Sequence, residues 1–349
     1  MSGLGFGRIE PPAEYWPAIA AKIACAPEPA DEGPTPVVSL PLWRWRHPRY
    51  HAQLAGRGCC VGESIADMLE LNARRPNDAP APPPLVITPG VPAISPLWIY
   101  WIARQYSAKQ GRPLWGQDGA IVSDALLAVM ESGVIPWDAW PGTEANYRNY
   151  TDKAPPRSAL DAPRIKVSGE CLRITSVAQL AQYVCGKGLA VVAGTAWRGG
   201  MTAPRGQFNW GASSVGGHAY TISGLDIPAD KLTADNSWDN AGWGVQPAEG
   251  AVDQQGNILP RGYASTSWRV WAAWEMAAAA LSSGATEIIV IEGVQLGDPT
   301  PLPDPTPPPS PPTPPTPPTP PGPPTPPIRS GKWIAEDGSI WAVTAKRLA

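Results

Sequence analysis

The sequence predicts an α+β protein in which a helical region precedes a region rich in strands. Between 60 and 149, apolar residues recur at helical spacing, and from 189 onward the apolar runs are short and contain many valines and isoleucines. At about 295 the composition changes, and 19 of the 29 residues from 299 to 327 are proline. We therefore predict an N-terminal arm (1–36), a main domain (37–294), a proline- and threonine-rich linker (295–327) and a short C-terminal segment (328–349).

Composition and charge exclude several classes of protein. A chain of 349 residues is long enough for a large core, but a net charge of −3 provides no basic surface for nucleic acid. Because no run of about 20 apolar residues exists, we expect no membrane insertion. The N-terminus lacks a secretory pattern, so we expect a cytoplasmic protein, with a virion-associated protein as the alternative. Five cysteines, an odd number, favour a mostly reduced protein.

Three helices are predicted in the first half of the main domain. The first covers 61–71, where apolar residues fall on one helical face. The second covers 95–104, because Ser95 is a good N-cap and a proline follows it in the first turn. The third covers 121–132 and ends at Gly133, a residue typical of helix ends.

The second half alternates turn residues with short apolar runs, which is typical of strands. One helix is predicted over 176–185. Strands are predicted over 189–194, 218–223, 231–238, 268–274 and 287–291. A helix over 272–281 is the alternative to the fourth of these strands, and periodicity does not decide between the two.

Cysteine, histidine and asparagine occur in an order that suggests a thiol-protease site. Cys59 and Cys60 lie where a glycine-rich turn enters the first predicted helix, and a helix N-terminus favours the thiolate. Far downstream, His218 follows two glycines and Asn236 precedes Ser237-Trp238. We therefore expect these three residue types to meet in the folded chain.

Four motifs carry a resemblance to a known family. They are Gly58-Cys59-Cys60-Val61-Gly62, Gln117-Asp118-Gly119-Ala120, Gly216-Gly217-His218-Ala219-Tyr220 and Asn236-Ser237-Trp238. In this order they resemble the motifs of papain-like cysteine peptidases of the bacterial and viral type, over about 50–294. The resemblance implies a two-lobed fold, in which a helical lobe carries the cysteine and a β-rich lobe carries the histidine and asparagine. It also implies peptide or protein substrates and no cofactor.

The same resemblance implies a role for each site residue. Cys60 would be the nucleophilic thiolate, His218 its imidazolium partner and Asn236 the group that orients the ring. Trp238 would cover the bond between the last two. The predicted substrate-binding residues are Asp118, Gly119, Gly217 and Trp238. Gly119 would let an extended peptide backbone approach closely.

A glutamine that donates to the developing oxyanion stands six residues before the nucleophile in the family. Gln53 lies seven residues before Cys60 and six before Cys59. Either the loop holds one extra residue and Gln53 is the catalytic glutamine, or the role of the glutamine is lost. In the alternative register Cys59 is the nucleophile. We prefer Cys60, because this register keeps Gly58 two residues before it and a small residue two residues after it.

Two functional hypotheses follow. The first is an active cysteine endopeptidase, and the second is a papain-like fold used as a structural or binding module with weak or absent catalysis. The arm is too short for an inhibitory prosegment, so we expect a strap across the domain surface. The linker favours polyproline II, which would extend on the order of 90 Å at about 3.1 Å per residue. The last segment predicts a hairpin over 333–341 that docks on the domain or on a larger assembly.

Overall fold

The computed structural model describes residues 7–29, 58–74, 93–114, 116–143, 146, 154–200, 203, 206–238, 262–281, 285–300, 331–334 and 340–343. The chain forms two compact units, Met1–Asp304 and Pro305–Ala349. Each unit is described separately below.

The predicted helices of the first unit are confirmed, and their ends follow from local chemistry. Ser95 Oγ accepts a hydrogen bond from the Trp98 backbone N–H at 3.3 Å, and Gly133 ends the following helix with a φ of 71°. A capping box between Ser176 and Gln179 starts a helix that continues into a π-helical segment, Gln182–Gly186. The α-helices are α1 (Trp16–Ala20), α2 (Cys60–Arg74), α3 (Pro96–Lys109), α4 (Val122–Ser132), α5 (Arg157–Leu160), α6 (Val177–Ala181) and α7 (Trp268–Ala280).

In the described part of the first unit, seven strands form one sheet. The strands are β1 (Ala24–Cys25), β2 (Arg164–Arg173), β3 (Val191–Ala196), β4 (Gly217–Asp226), β5 (Lys231–Asp235), β6 (Tyr263–Thr266) and β7 (Glu287–Thr300). Their order in the sheet is β1-β2-β7-β3-β4-β5-β6. β1 runs parallel to β2, and the other neighbours are antiparallel. Helices and one sheet in a single unit confirm the predicted α+β class.

The predicted strand at 268–274 is wrong, because this stretch belongs to α7. Ser267 Oγ accepts from the Val270 backbone N–H at 3.2 Å and caps the helix. Trp271, Met276 and Ala279 are buried on the side of α7 that faces the core. The helix that we kept as the alternative is therefore correct.

The sheet separates two hydrophobic cores, because successive side chains of a strand point to opposite faces. Ala219 and Ile289 lie in one core with α2, α3 and α4, which together form the helical lobe. Tyr220 and Ile288 lie in the other core with α6 and α7. Side chains of β4 and β7 therefore pack on both faces of the sheet, and the strand order places both strands in its interior.

Helix α2 is the central element of the helical lobe. Its residues are buried continuously from Cys60 to Asn72. Thr221 Oγ1 on β4 donates to the Ser64 backbone oxygen at 3.0 Å and ties the first turns of α2 to the sheet. The position of the helix N-terminus relative to β4 is thereby set by direct packing.

Strand β7 continues past the predicted start of the linker at 295. Its pairing with β2 includes Val167 opposite Leu296 and Arg164 opposite Thr300. The main unit therefore extends further than the predicted domain, because these residues complete a strand rather than beginning a tether. The rest of the predicted linker, 301–327, lies outside the described residues.

In the second unit, β8 (Gly331–Ile334) and β9 (Ile340–Val343) pair antiparallel, with Trp333 opposite Trp341. This pairing is that of the predicted hairpin, and its docking partner stays a prediction.

A chain that ends at Asp304 should unfold at nearly the wild-type temperature, because β7 stays complete. A chain that ends at Val294 should unfold at a temperature lower by roughly 5 °C or more, because it loses strand pairing and the partly buried Leu296. Thermal unfolding followed by circular dichroism measures both. A large loss in the chain that ends at Asp304 would contradict the separation of the two units.

Candidate active site

Cys60 is the first residue of α2, and its thiol lies against the sheet. Backbone N–H groups of Ala219, Gly7 and Val61 hydrogen-bond to the sulfur, and Ala219 is the residue after His218 on β4. Asp118 Oδ2 accepts from the Gly58 N–H at 2.9 Å and holds the turn before the helix. The thiol is therefore placed by the helix start, by β4 and by a residue of the N-terminal arm.

The adjacent Cys59 has a different environment. Its sulfur donates to Glu63 Oε1, in the first turn of α2, at 3.6 Å. Burial, followed by the charge of Glu63, raises the pKa of Cys59 well above its ordinary value. The structure thus gives the two cysteines separate surroundings, with the backbone of Ala219 on β4 at the sulfur of Cys60 and the carboxylate of Glu63 at that of Cys59.

His218 and Asn236 form a directed hydrogen bond. His218 Nε2 lies 2.9 Å from Asn236 Oδ1, and the Trp238 backbone N–H donates to the same oxygen at 3.3 Å. Because that oxygen is the acceptor, Nε2 carries the hydrogen in the neutral ring. Nδ1 is then the basic nitrogen of His218.

Aromatic rings enclose this hydrogen bond. The Trp238 ring stacks on the His218 ring with centroids 4.3 Å apart, and the Trp197 ring meets it edge-on at 5.2 Å. Both tryptophans are almost fully buried. Trp238 therefore covers the imidazole, as the resemblance implied, and its role in substrate binding stays a prediction.

Burial keeps both reacting groups neutral in this state. It raises the pKa of Cys60 to about 11, although the three backbone hydrogen bonds lower it in part. It lowers the pKa of His218 to about 3, although the bond to Asn236 acts in the opposite direction. In the described state burial therefore favours the protonated thiol and the uncharged ring at pH 7, and the thiolate–imidazolium pair stays a prediction. The physical reason is desolvation, which outweighs the helix N-terminus.

Residues 7–9 of the N-terminal arm lie between the helical lobe and β4, a space that we call the cleft. The Arg8 N–H donates to the Gly217 oxygen at 3.1 Å. The Ala120 N–H donates to the Gly7 oxygen at 2.7 Å, and the Ile9 N–H donates to the Ala120 oxygen at 2.8 Å. The expected surface strap therefore crosses the cleft, directly beside Cys60.

Glycines make this close approach possible. A Cβ atom on Gly7 would lie 1.7 Å from the Gly58 oxygen, one on Gly119 2.4 Å from the Gly7 oxygen, and one on Gly217 2.2 Å from the Arg8 oxygen. Side chains at these positions would expel the arm. Gly119 thus has the geometry predicted for close passage of an extended backbone, and Gly217 has it as well. Here that backbone is the chain's own arm, and substrate binding by the two glycines stays a prediction.

The remaining predicted site residues have other positions. Besides the Gly58 N–H, Asp118 accepts from the Tyr100 hydroxyl at 3.1 Å, so its carboxylate supports the turn before α2, and its role in substrate binding stays a prediction. Gln53 lies outside the described residues. Ala120, Arg8 and Glu287 were missed. Only Glu287 had a signal in the sequence, namely an acid at the start of an apolar strand, which needs a partner when buried.

Among the described residues, no three histidine, cysteine or carboxylate side chains converge as metal ligands would. None of the helices in the described ranges has the length and apolarity needed to span a bilayer.

No protein-family model matches the sequence, and neither does any curated protein. Solved structures do match. Xylellain, a cysteine protease from Xylella fastidiosa, superposes with a TM-score of 0.52 at 17% identity, over 84% of this chain and 97% of its own. The chain has the papain-like fold. The cysteine protease CMS1MS2 from Carica candamarcensis, solved in complex with E-64, gives a TM-score of 0.44 at 17% identity, over 74% of this chain and 100% of its own.

The papain-like fold confirms the predicted division into lobes. Cys60 begins the central helix of the helical lobe, and β4 carries His218 in the β-rich lobe. Asn236 directly follows β5. The bacterial or viral type of the papain-like group stays a prediction.

Replacing Gly7 by alanine should expel the arm and speed alkylation of Cys60 by iodoacetamide. Only the thiolate reacts, so the wild-type rate should be slow at pH 7 and keep rising toward pH 11. In Gly7→Ala, hydration of the cleft should move that rise to lower pH and increase the rate at pH 7 by about 10-fold or more. Tandem mass spectrometry locates the label, because Cys59 and Cys60 are adjacent and share one peptide, and only fragment ions distinguish them.

Two controls belong to this measurement. Cys25 is exposed and should react equally in both proteins. Gly297→Ala adds a Cβ with only ordinary contacts, 3.5 Å or more from Lys166, and should leave the reaction of Cys60 unchanged. Equal rates at Cys60 in wild type and Gly7→Ala would show that the arm does not shield the thiol.

Proposed function

We propose that this papain-like chain is a cysteine endopeptidase with Cys60, His218 and Asn236 as its catalytic residues. The observation that carries the proposal is the His218–Asn236 hydrogen bond under Trp238, next to a helix-terminal thiol that contacts Ala219. This arrangement orients one ring nitrogen and leaves the basic nitrogen for proton transfer. A papain-like fold at low identity is consistent with peptide hydrolysis.

The described state is closed to substrate, because residues 7–9 occupy the cleft. In the proposed cycle the arm leaves first, and water and a peptide replace it. Hydration then removes much of the desolvation that raises the pKa of Cys60 and lowers that of His218. The thiol proton passes to His218 Nδ1, and the imidazolium is stabilised because its Nε2–H donates to Asn236 Oδ1.

The chemistry then follows two steps. The Cys60 thiolate attacks the peptide carbonyl, and backbone N–H groups at the start of α2 stabilise the oxyanion, with the Gln53 amide as a further proposed donor. His218 gives its proton to the leaving amine, which leaves an acyl group on the sulfur. Water, deprotonated by His218, hydrolyses this thioester and restores the thiol.

The second candidate function is a binding module without catalysis. It is favoured by one observation, the neutral Cys60 and His218 beneath an occupied cleft. In this case the cleft would hold the arm permanently, or would exchange it for another peptide without cleaving that peptide. Assays on a protein whose arm has been expelled distinguish the two.

In a Gly7→Ala background, cleavage of casein under reducing conditions should depend on the three catalytic residues. Cys60→Ser and His218→Ala should each lower kcat/KM by about 10³-fold or more, because the nucleophile or its base is lost. Asn236→Ala should be milder, about 10-fold to 10²-fold, because the ring stays present but is no longer held. Release of acid-soluble peptides measures the rates.

Cys59→Ser is the matched control for the choice of nucleophile. The side chain of Cys59 contacts Glu63 within α2, so this variant should keep most of the activity. Full loss in Cys59→Ser with activity kept in Cys60→Ser would reverse the assignment. No cleavage by any of these proteins, including the Gly7→Ala parent, would favour the binding module.

A further inference from the structure

The side chain of Arg8 leaves the arm and enters a buried pocket beside the cleft. Its Nη1 donates to the Ala285 backbone oxygen at 3.0 Å, and its Nη2 donates to Glu287 Oε2 at 3.3 Å. The exposed fractions of the two side chains are 1% and 0%. A guanidinium so deeply enclosed is bound by a shaped site and is not a surface contact.

Glu287 is held in place for this contact. Its second oxygen, Oε1, accepts from the Ser123 backbone N–H at 3.1 Å, in the first turn of α4. The carboxylate is therefore oriented by the helical lobe and aimed at the guanidinium. A buried carboxylate that lacks an opposite charge is energetically costly, so a cation is expected beside Glu287.

Glu287, Gly194 and Ala219 form a row across three neighbouring strands, because Gly194 pairs with Glu287 on β7 and with Ala219 on β4. A Cβ atom on Gly194 would lie 3.2 Å from Arg8 Nε and 2.6 Å from Val122 Cγ2. Glycine therefore leaves the passage through which the Arg8 side chain runs. The row begins at Ala219, whose N–H contacts the Cys60 sulfur.

We propose that this site, formed by Gly194, Ala285 and Glu287 and here called the arginine pocket, binds the arginine side chain of a peptide that enters the cleft. Arg8 occupies the same pocket in the arm-bound state. The inference rests on the proposed function, because it names the class of peptide substrate that the Cys60 site accepts. An arginine within a residue or two of the cleaved bond is the feature that is recognised.

The contacts favour arginine over lysine and over apolar residues. Two different guanidinium nitrogens find acceptors that lie in different directions, and an ammonium on a lysine stem presents only a single nitrogen. An apolar side chain would leave a buried carboxylate without a cation. A peptide with arginine at this position replaces Arg8 contact for contact, so it competes directly with the arm.

The first test measures binding and needs no catalysis. Arg8→Ala, in the full chain, deletes the atoms equivalent to ethylguanidinium. At ~10 mM, ethylguanidinium should raise the unfolding temperature of Arg8→Ala by about 3 °C or more and change that of wild type little, because wild type fills the pocket itself. Propylammonium at the same concentration should have less effect.

Two variants make the binding test specific. Glu287→Gln in the Arg8→Ala background keeps an acceptor for the Ser123 N–H and removes the charge, so stabilisation by ethylguanidinium should disappear. Glu292→Gln is the matched control, since Glu292 is on the same strand but contacts Lys187 and Tyr183, and should leave the stabilisation intact. Absence of stabilisation in Arg8→Ala, or stabilisation that survives Glu287→Gln, would overturn the pocket.

The second test uses cleavage. Fluorogenic peptides in which one position at a time is varied should be cleaved by Arg8→Ala with kcat/KM about 10-fold or more higher for arginine than for lysine or leucine at one position. Glu287→Gln in that background should remove this preference while cleavage of the leucine peptide continues. Cleavage without any arginine preference would overturn the inference and leave the peptidase function standing. Ethylguanidinium binding that depends on Glu287, with no peptide cleaved, would support the pocket and overturn the peptidase.

Discussion

The packing of the N-terminus of α2 against β4 positions the candidate site, because it brings a thiol next to a strand that carries a histidine. Thr221 donates to the backbone of Ser64, and the small side chain of Ala219 lets the start of the helix lie against the strand. Helix α2 is buried along most of its length, so its contact with β4 is determined by the packing of buried side chains. The geometry of the site is therefore a property of the core.

The same burial determines the electrostatic state. A helix N-terminus and three backbone hydrogen bonds favour a thiolate at Cys60, but removal of water acts against the charge more strongly. The aromatic enclosure has the corresponding effect on His218. Because the arm contributes to the enclosure of Cys60, release of the arm, as in the proposed cycle, would lower the cost of ionising the thiol.

The arm is held by backbone and side-chain contacts of different kinds. Its ladder with Ala120 and Gly217 is independent of side-chain type, apart from the glycines that permit close approach. The contact between Arg8 and Glu287 is specific, and it joins residues 279 positions apart in the chain. Peptide-binding clefts combine backbone hydrogen bonds, which bind any extended peptide, with pockets that select particular side chains.

Local sequence features determined the ends of several helices and indicated the candidate site. Ser95 and Gly133 specify helix ends through hydrogen bonding and backbone conformation, and the order of Cys60, His218 and Asn236 indicated the site, because these contributions depend on residue type and spacing. Only the tertiary structure decided that 268–274 is helical, where both periodicities fit and burial of Trp271 determined the outcome. It also decided the neutral state of the thiol, the course of residues 7–9 and the pairing of Arg8 with Glu287. These depend on desolvation and on contacts between distant segments, which have no counterpart in the local pattern of the chain.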